Sequence, residues 1–163
     1  MGAGILPATI LKGSIFFLLG REKSNNYWCD FGGSAINGES IFDTAIREGY
    51  EELDGLLGNP NQLSKLVTNN LVSLCYAKRY TTFLFYVNPD VLFNAPYFFN
   101  NHRLFLEKEL ILNYNKEGFF EKKEIKLFSK KDLLVNYQDI RPFYKNIVPL
   151  LLEIEKNEFD KYI

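Results

Sequence analysis

The chain has 163 residues, 47 % hydrophobic and 24 % charged, with a formal net charge of −1. That suffices for one domain with a full core, residues 1–163, and excludes a disulfide scaffold and a globally basic nucleic-acid binder. No apolar run approaches the ~18 residues of a membrane span and the start lacks a secretory signal, so the sequence predicts a soluble, cytoplasmic chain with no membrane partner. Its two cysteines, Cys29 and Cys75, are read as reduced thiols.

Ala3 to Thr9 and Gly13 to Leu19 are apolar runs with Leu11-Lys12-Gly13 as a turn, a predicted β-hairpin. Arg21 to Tyr27 is polar and predicts a loop. Trp28 to Phe31 leads into Gly32-Gly33, where the chain can approach a ligand closely. Ser40 and Asp43 precede a helical run with Ile41, Phe42, Ala45, Ile46 and Leu53 on its buried side, ended by Asp54-Gly55. Leu71 to Tyr76 and Thr81 to Val87 predict a second hairpin around Ala77-Lys78-Arg79. In Pro89 to Asn115 the spacing of Leu104, Phe105, Leu110 and Ile111 predicts an inserted helix over Phe98 to Leu112. Phe119 to Phe128 contains an alternating stretch, a predicted strand, and Phe143 to Lys156 predicts one final amphipathic helix.

The chemistry concentrates between Gly32 and Gly55. On a helix, Glu48, Glu51 and Glu52 fall at i, i+3 and i+4, so three carboxylates crowd one face. Like charges at that spacing destabilise a helix, and a hard divalent cation such as Mg²⁺ or Mn²⁺ relieves them. Gly33, Glu39, Arg47, Glu48, Glu51 and Glu52 also keep the spacing Gly-x5-Glu-x7-Arg-Glu-x-x-Glu-Glu, six fixed matches with a chance probability on the order of 10⁻⁵.

This stretch resembles the signature of the Nudix hydrolases. Two positions depart from it: Gly49 stands where an aliphatic residue is usual, and Asp54 where the closing glycine is usual. With Gly55 following, a loop one residue longer is expected. The resemblance implies an α/β fold, a mixed sheet sandwiched between helices. It also implies a pyrophosphohydrolase that cleaves a nucleoside diphosphate linked to another moiety X. It places Mg²⁺ or Mn²⁺ on Glu48, Glu51, Glu52 and the Gly32 carbonyl, with Glu39 and Gly33 in the outer shell. Arg47 is expected to fork onto a neighbouring carboxylate, Glu48. The general base is either a box glutamate (Glu48 or Glu52) or a later one, with Glu121 preferred over Glu117 and Glu124.

Substrate contacts are less marked. Arg21, Lys23 and Arg79 are candidates for phosphate, and Trp28, Phe31 and Tyr97 for a base. With 15 Phe and 10 Tyr in the chain, most aromatics belong to the core. The Phe, Tyr, Asn, Ile and Lys bias matches A+T-rich genomes, those of large DNA viruses among them. It motivates an alternative, an mRNA-decapping enzyme on capped RNA. The absence of a basic extension argues against this, since an RNA body needs a cationic path. A non-catalytic nucleotide-binding module is the third reading, weakened by the presence of all four box glutamates. The sequence leaves the oligomeric state open between monomer and homodimer.

Overall fold

Lys12 and Gly13 take positive φ of 49° and 74°, the two left-handed residues of a tight turn, and so close the first hairpin between β1 (Gly2–Leu11) and β2 (Ser14–Glu22). This computed structural model describes residues 1–110 and 119–163. Lys78 and Arg79, at φ 45° and 71°, repeat the device between β5 (Leu71–Ala77) and β6 (Tyr80–Tyr86). The hairpins join through a parallel pairing of β1 with β6, in the sheet order β3-β2-β1-β6-β5. Two further strands bring the mixed sheet to seven among the described residues. β4 (Phe31–Ser34) pairs with the first half of β1, and β7 (Lys122–Ser129) pairs with the outer side of β2. β3 is the short Trp28–Cys29.

One face of the sheet packs against α1 (Ile41–Glu52), α2 (Pro60–Asn69) and α3 (Pro89–Phe105) through Ile5, Phe31, Ala45, Leu63, Phe85 and Phe99. The other face buries Phe17, Leu84, Phe128, Tyr144, Leu151 and Phe159 under α4 (Lys130–Val135), α5 (Val148–Glu153) and short 3₁₀ turns. The α/β/α sandwich expected from the sequence is therefore present.

The signature helix begins as its cap predicts: Ser40 Oγ accepts the Asp43 backbone N–H at 3.0 Å. Its end differs. Asp54 itself takes the left-handed position at φ 52°, Gly55 N–H bonds back to the Tyr50 carbonyl, and Asp54 N–H bonds to that of Glu51. This is a Schellman end with aspartate in the glycine's place, so no extra residue is needed and the longer loop is not found. Gly49, the second departure, faces β1: a Cβ there would lie 2.4 Å from Ile5 Cδ1. The aliphatic residue usual at that position has no room.

The inserted helix starts earlier than the apolar spacing indicated, at Asn88-Pro89, where the Asn88 side chain caps the Asp90 N–H. It continues as a π-turn over Leu106–Leu110, and the predicted Ile111 and Leu112 lie outside the described residues. Asn100 holds it to the sheet, donating to the Ile125 carbonyl and accepting the Ile125 N–H. The final helix is not continuous. A 3₁₀ turn at Tyr144–Asn146, α5 and a second 3₁₀ run at Lys156–Tyr162 replace it. Pro149 lacks an N–H and its ring would strike the Lys145 carbonyl, so an unbroken α-helix cannot pass through that point.

Candidate active site

The site forms where α1, the Gly32-Gly33 strand and the start of β7 meet. Gly33 lets the helix approach: a Cβ there would sit 2.5 Å from Glu48 Oε1. Gly32 N–H donates to Glu52 Oε2 at 2.8 Å. In an extended residue the N–H and C=O point to the same side, so the Gly32 carbonyl also faces the helix.

Arg47 is the organiser of the outer half. Its Nε and Nη2 fork onto Glu39 at 2.6 and 3.0 Å, and Nη1 reaches Glu48 at 2.8 Å and Glu51 at 3.4 Å. The bidentate partner is Glu39, and Glu48 receives a single contact, which corrects the expected fork. Glu39 also accepts from Ile36 N–H and Thr44 Oγ1, so its oxygens are occupied in fastening Arg47 and the loop. These bonds, Arg47's first, hold its carboxyl at about 2, well below the usual range.

Glu52 lies deeper, 2 % exposed, and carries a partner the sequence did not indicate. Lys122 Nζ is fully buried 3.3 Å from Glu52 Oε2, 3.6 Å from Glu22 Oε1 and 3.0 Å from Cys29 Sγ. Burial pushes Glu52 up to about 8 against the pull of Lys122, and pushes the Cys29 thiol up to about 12. Lys122 keeps its proton, held by Glu52, Cys29 and Glu22 against its own burial. Burial also raises Glu48 and Glu51, opposed by Arg47, and Glu121 adds repulsion on Glu48, Glu51 and Glu52 alike. Glu121 is exposed and immediately precedes β7, close enough for its charge to be felt by the box glutamates.

Such a set of hard oxygens under mutual repulsion fits a divalent cation in its donor chemistry. Among the described residues no three His, Cys, Asp or Glu side chains stand together as a ready-made metal cage, because Arg47 and Lys122 draw the carboxylates toward themselves. A cleft of about 540 Å³ opens beside Glu121, lined also by Phe120, Glu22, Lys23 and Arg141. A larger hollow, about 810 Å³, lies at the opposite hairpin turn, between Gly13, Lys130 and Lys156, away from the carboxylates.

The remaining candidates separate. Phe31 is fully buried and Trp28 packs edge-on against Phe128 at 5.0 Å, so both are core and neither is open to stack a base. Arg21 pairs with Glu124 at 3.1 Å, which ties up that glutamate as well. Tyr97 is exposed on α3, against Phe98. Glu117 lies outside the described residues.

Among solved structures, the chain is similar to an Ap4A hydrolase of C. elegans seen as a binary complex, at 16 % identity over 99 % of this chain and 95 % of that one, with a TM-score of 0.51. The chain has the Nudix fold. A Nudix hydrolase described from Listeria monocytogenes agrees, at 15 % identity over 98 % and 96 % of the two chains and a TM-score of 0.53. A bifunctional NMN adenylyltransferase/ADP-ribose pyrophosphatase of Francisella tularensis, complexed with AMP and a Mn ion, has a TM-score of 0.55 at 15 % identity. The match covers 93 % of this chain and 41 % of that one, so the Nudix fold here corresponds to part of the larger protein. No protein-family model matches the sequence, and no curated protein does. At these identities the likeness lies in the fold, and the box residues supply the chemical argument.

Proposed function

We propose that the chain is a metal-dependent Nudix pyrophosphohydrolase, acting on a nucleoside diphosphate joined to a second moiety. The observation that carries this reading is the triad Glu48, Glu51 and Glu52 on one helix of a Nudix fold, with Glu52 bonded to the Gly32 N–H and Glu48 lying against Gly33. Structural neighbours that are an Ap4A hydrolase and, in part, an ADP-ribose pyrophosphatase support the substrate class.

Glu48, Glu51, Glu52 and the Gly32 carbonyl would hold Mg²⁺ or Mn²⁺, which draws charge from the phosphate oxygens and acidifies a bound water. The chain's own residues do the rest. Arg47 fixes Glu48 and Glu51, and the Gly32 N–H fixes Glu52. Glu121 would accept the proton of the attacking water from the rim of the cleft, whose lining also includes Lys23 and Arg141, the latter paired with Glu22, as cations for the departing phosphate.

A panel of Ap4A, ADP-ribose and capped RNA, each with Mg²⁺, Mn²⁺ or chelator, tests the reading. Metal-dependent release of a nucleoside phosphate from one of the small substrates is expected. Preferential cleavage of capped RNA would move the assignment to decapping. Silence throughout, with nucleotide binding retained, would leave a binding module and overturn the enzyme.

A further inference from the structure

Asp54, the residue that departs from the Nudix signature, is half of a buried ion pair. Arg103 on α3 is 3 % exposed and places Nη2 2.8 Å from Asp54 Oδ2. Its guanidinium lies over two rings, 4.9 Å from the centre of Phe99 and 4.3 Å from that of Phe120. Phe120 takes a left-handed φ of 68° one residue before Glu121. Burial pushes the Asp54 carboxyl up against the pull of Arg103 and of the Phe120 backbone N–H. On one side of this contact Phe119 packs edge-on on Tyr50 at 5.8 Å, and two residues beyond it Lys122 pairs with Glu52, so the signature helix holds both.

Glu121 therefore sits within a strap, Phe119 to Lys122, whose other three residues each contact α1 or its end. We propose that Asp54 and Arg103 are positioning residues that clamp this strap through Phe120 and so keep Glu121 beside Glu48 and Glu51. The inference rests on the hydrolase reading for its catalytic consequence. It also gives the departure at Asp54 a reason: a glycine satisfies the left-handed backbone but leaves Arg103 buried without a counter-charge.

Hydrogen exchange and kinetics on the full chain test it together. Asp54→Asn and the double variant Asp54→Gly/Arg103→Met are compared with the parent, the double variant removing both charges so that neither is stranded. Amides of residues 119–122 should exchange about tenfold faster while those of α1 keep their protection. With the active substrate, kcat should fall about tenfold at nearly constant KM, and the loss should vanish in a Glu121→Gln background, because both changes act through one carboxylate. Unchanged exchange in the strap would overturn the clamp, and so would an equal kcat loss in both backgrounds. A parent that hydrolyses nothing in the panel would defeat the hydrolase reading alone, since the exchange arm still reads the strap.

Discussion

Gly49→Ala sets helix propensity against packing, and the structure decides the sign. Alanine in a helix interior is favoured over glycine by about 1 kcal/mol. Here the added methyl would lie 2.4 Å from Ile5 Cδ1 and 2.6 Å from Ile5 Cγ1. Ile5 is fully buried in the central strand, so it has no solvent to swing into. Overpacking of this kind costs about 1–3 kcal/mol, so the net change should be a destabilisation of about 0–2 kcal/mol. For a chain of this length that lowers Tm by a few degrees, at about 2–4 °C per kcal/mol. Chemical denaturation of four proteins measures it: parent, Gly49→Ala, Ile5→Ala and the double variant. Ile5→Ala alone should cost about 2–5 kcal/mol. In that background Gly49→Ala should turn stabilising by about 1 kcal/mol as propensity acts unopposed. A Gly49→Ala protein more stable than the parent would refute the packing argument.

Replacing Glu51 or Glu52 with Gln should abolish turnover with the fold retained, and full activity with Mg²⁺ in either would remove both from the proposed cation site. Arg47→Lys should lower kcat much more than it changes KM, because an ammonium cannot fork onto Glu39 and still hold Glu48; a pure KM effect would place Arg47 on the substrate. Lys122→Met keeps the buried stem but strands Glu52, and should cost about 3–5 kcal/mol in denaturation, with no loss meaning that the pair contributes nothing. Glu39 has a folded pKa of about 2, below its ordinary 4.5, so the stability it adds is present above pH 4.5 and lost as pH falls toward 2. Glu39→Gln should flatten that acid limb of the stability profile, and an unchanged slope would show that the Arg47 fork adds nothing.

The box was legible because its chemistry fixes both residue type and spacing, and the two hairpins because Lys12-Gly13 and Lys78-Arg79 interrupt apolar runs. What the sequence hid were pairings across distance. Lys122 has no sequence signal of its own beside Lys123 and Lys126, yet its side chain is buried onto Glu52. The Arg47 fork went to Glu39 because the loop after β4 folds back over the helix, which no local pattern announces. α2 went unread although its signal was present: Asn59, Pro60 and Gln62 form a capping box with proline in the first turn. Trp28 and Phe31 were misread because aromatics beside a glycine pair look alike whether they face a ligand or the core.

The Asn100 amide on Ile125 has a consequence beyond holding α3. Among the described residues β7 pairs with β2 on one side only, so Ile125 would otherwise offer a free N–H and C=O to any passing extended chain. One carboxamide takes both groups at once and mimics the next strand. On the far border, Tyr162 and Lys161 cap the Leu71 carbonyl of β5 in the same spirit. Each rim of a sheet so rich in apolar residues thus has one position where the edge groups that would template another strand are already taken, by side chains that add no strand.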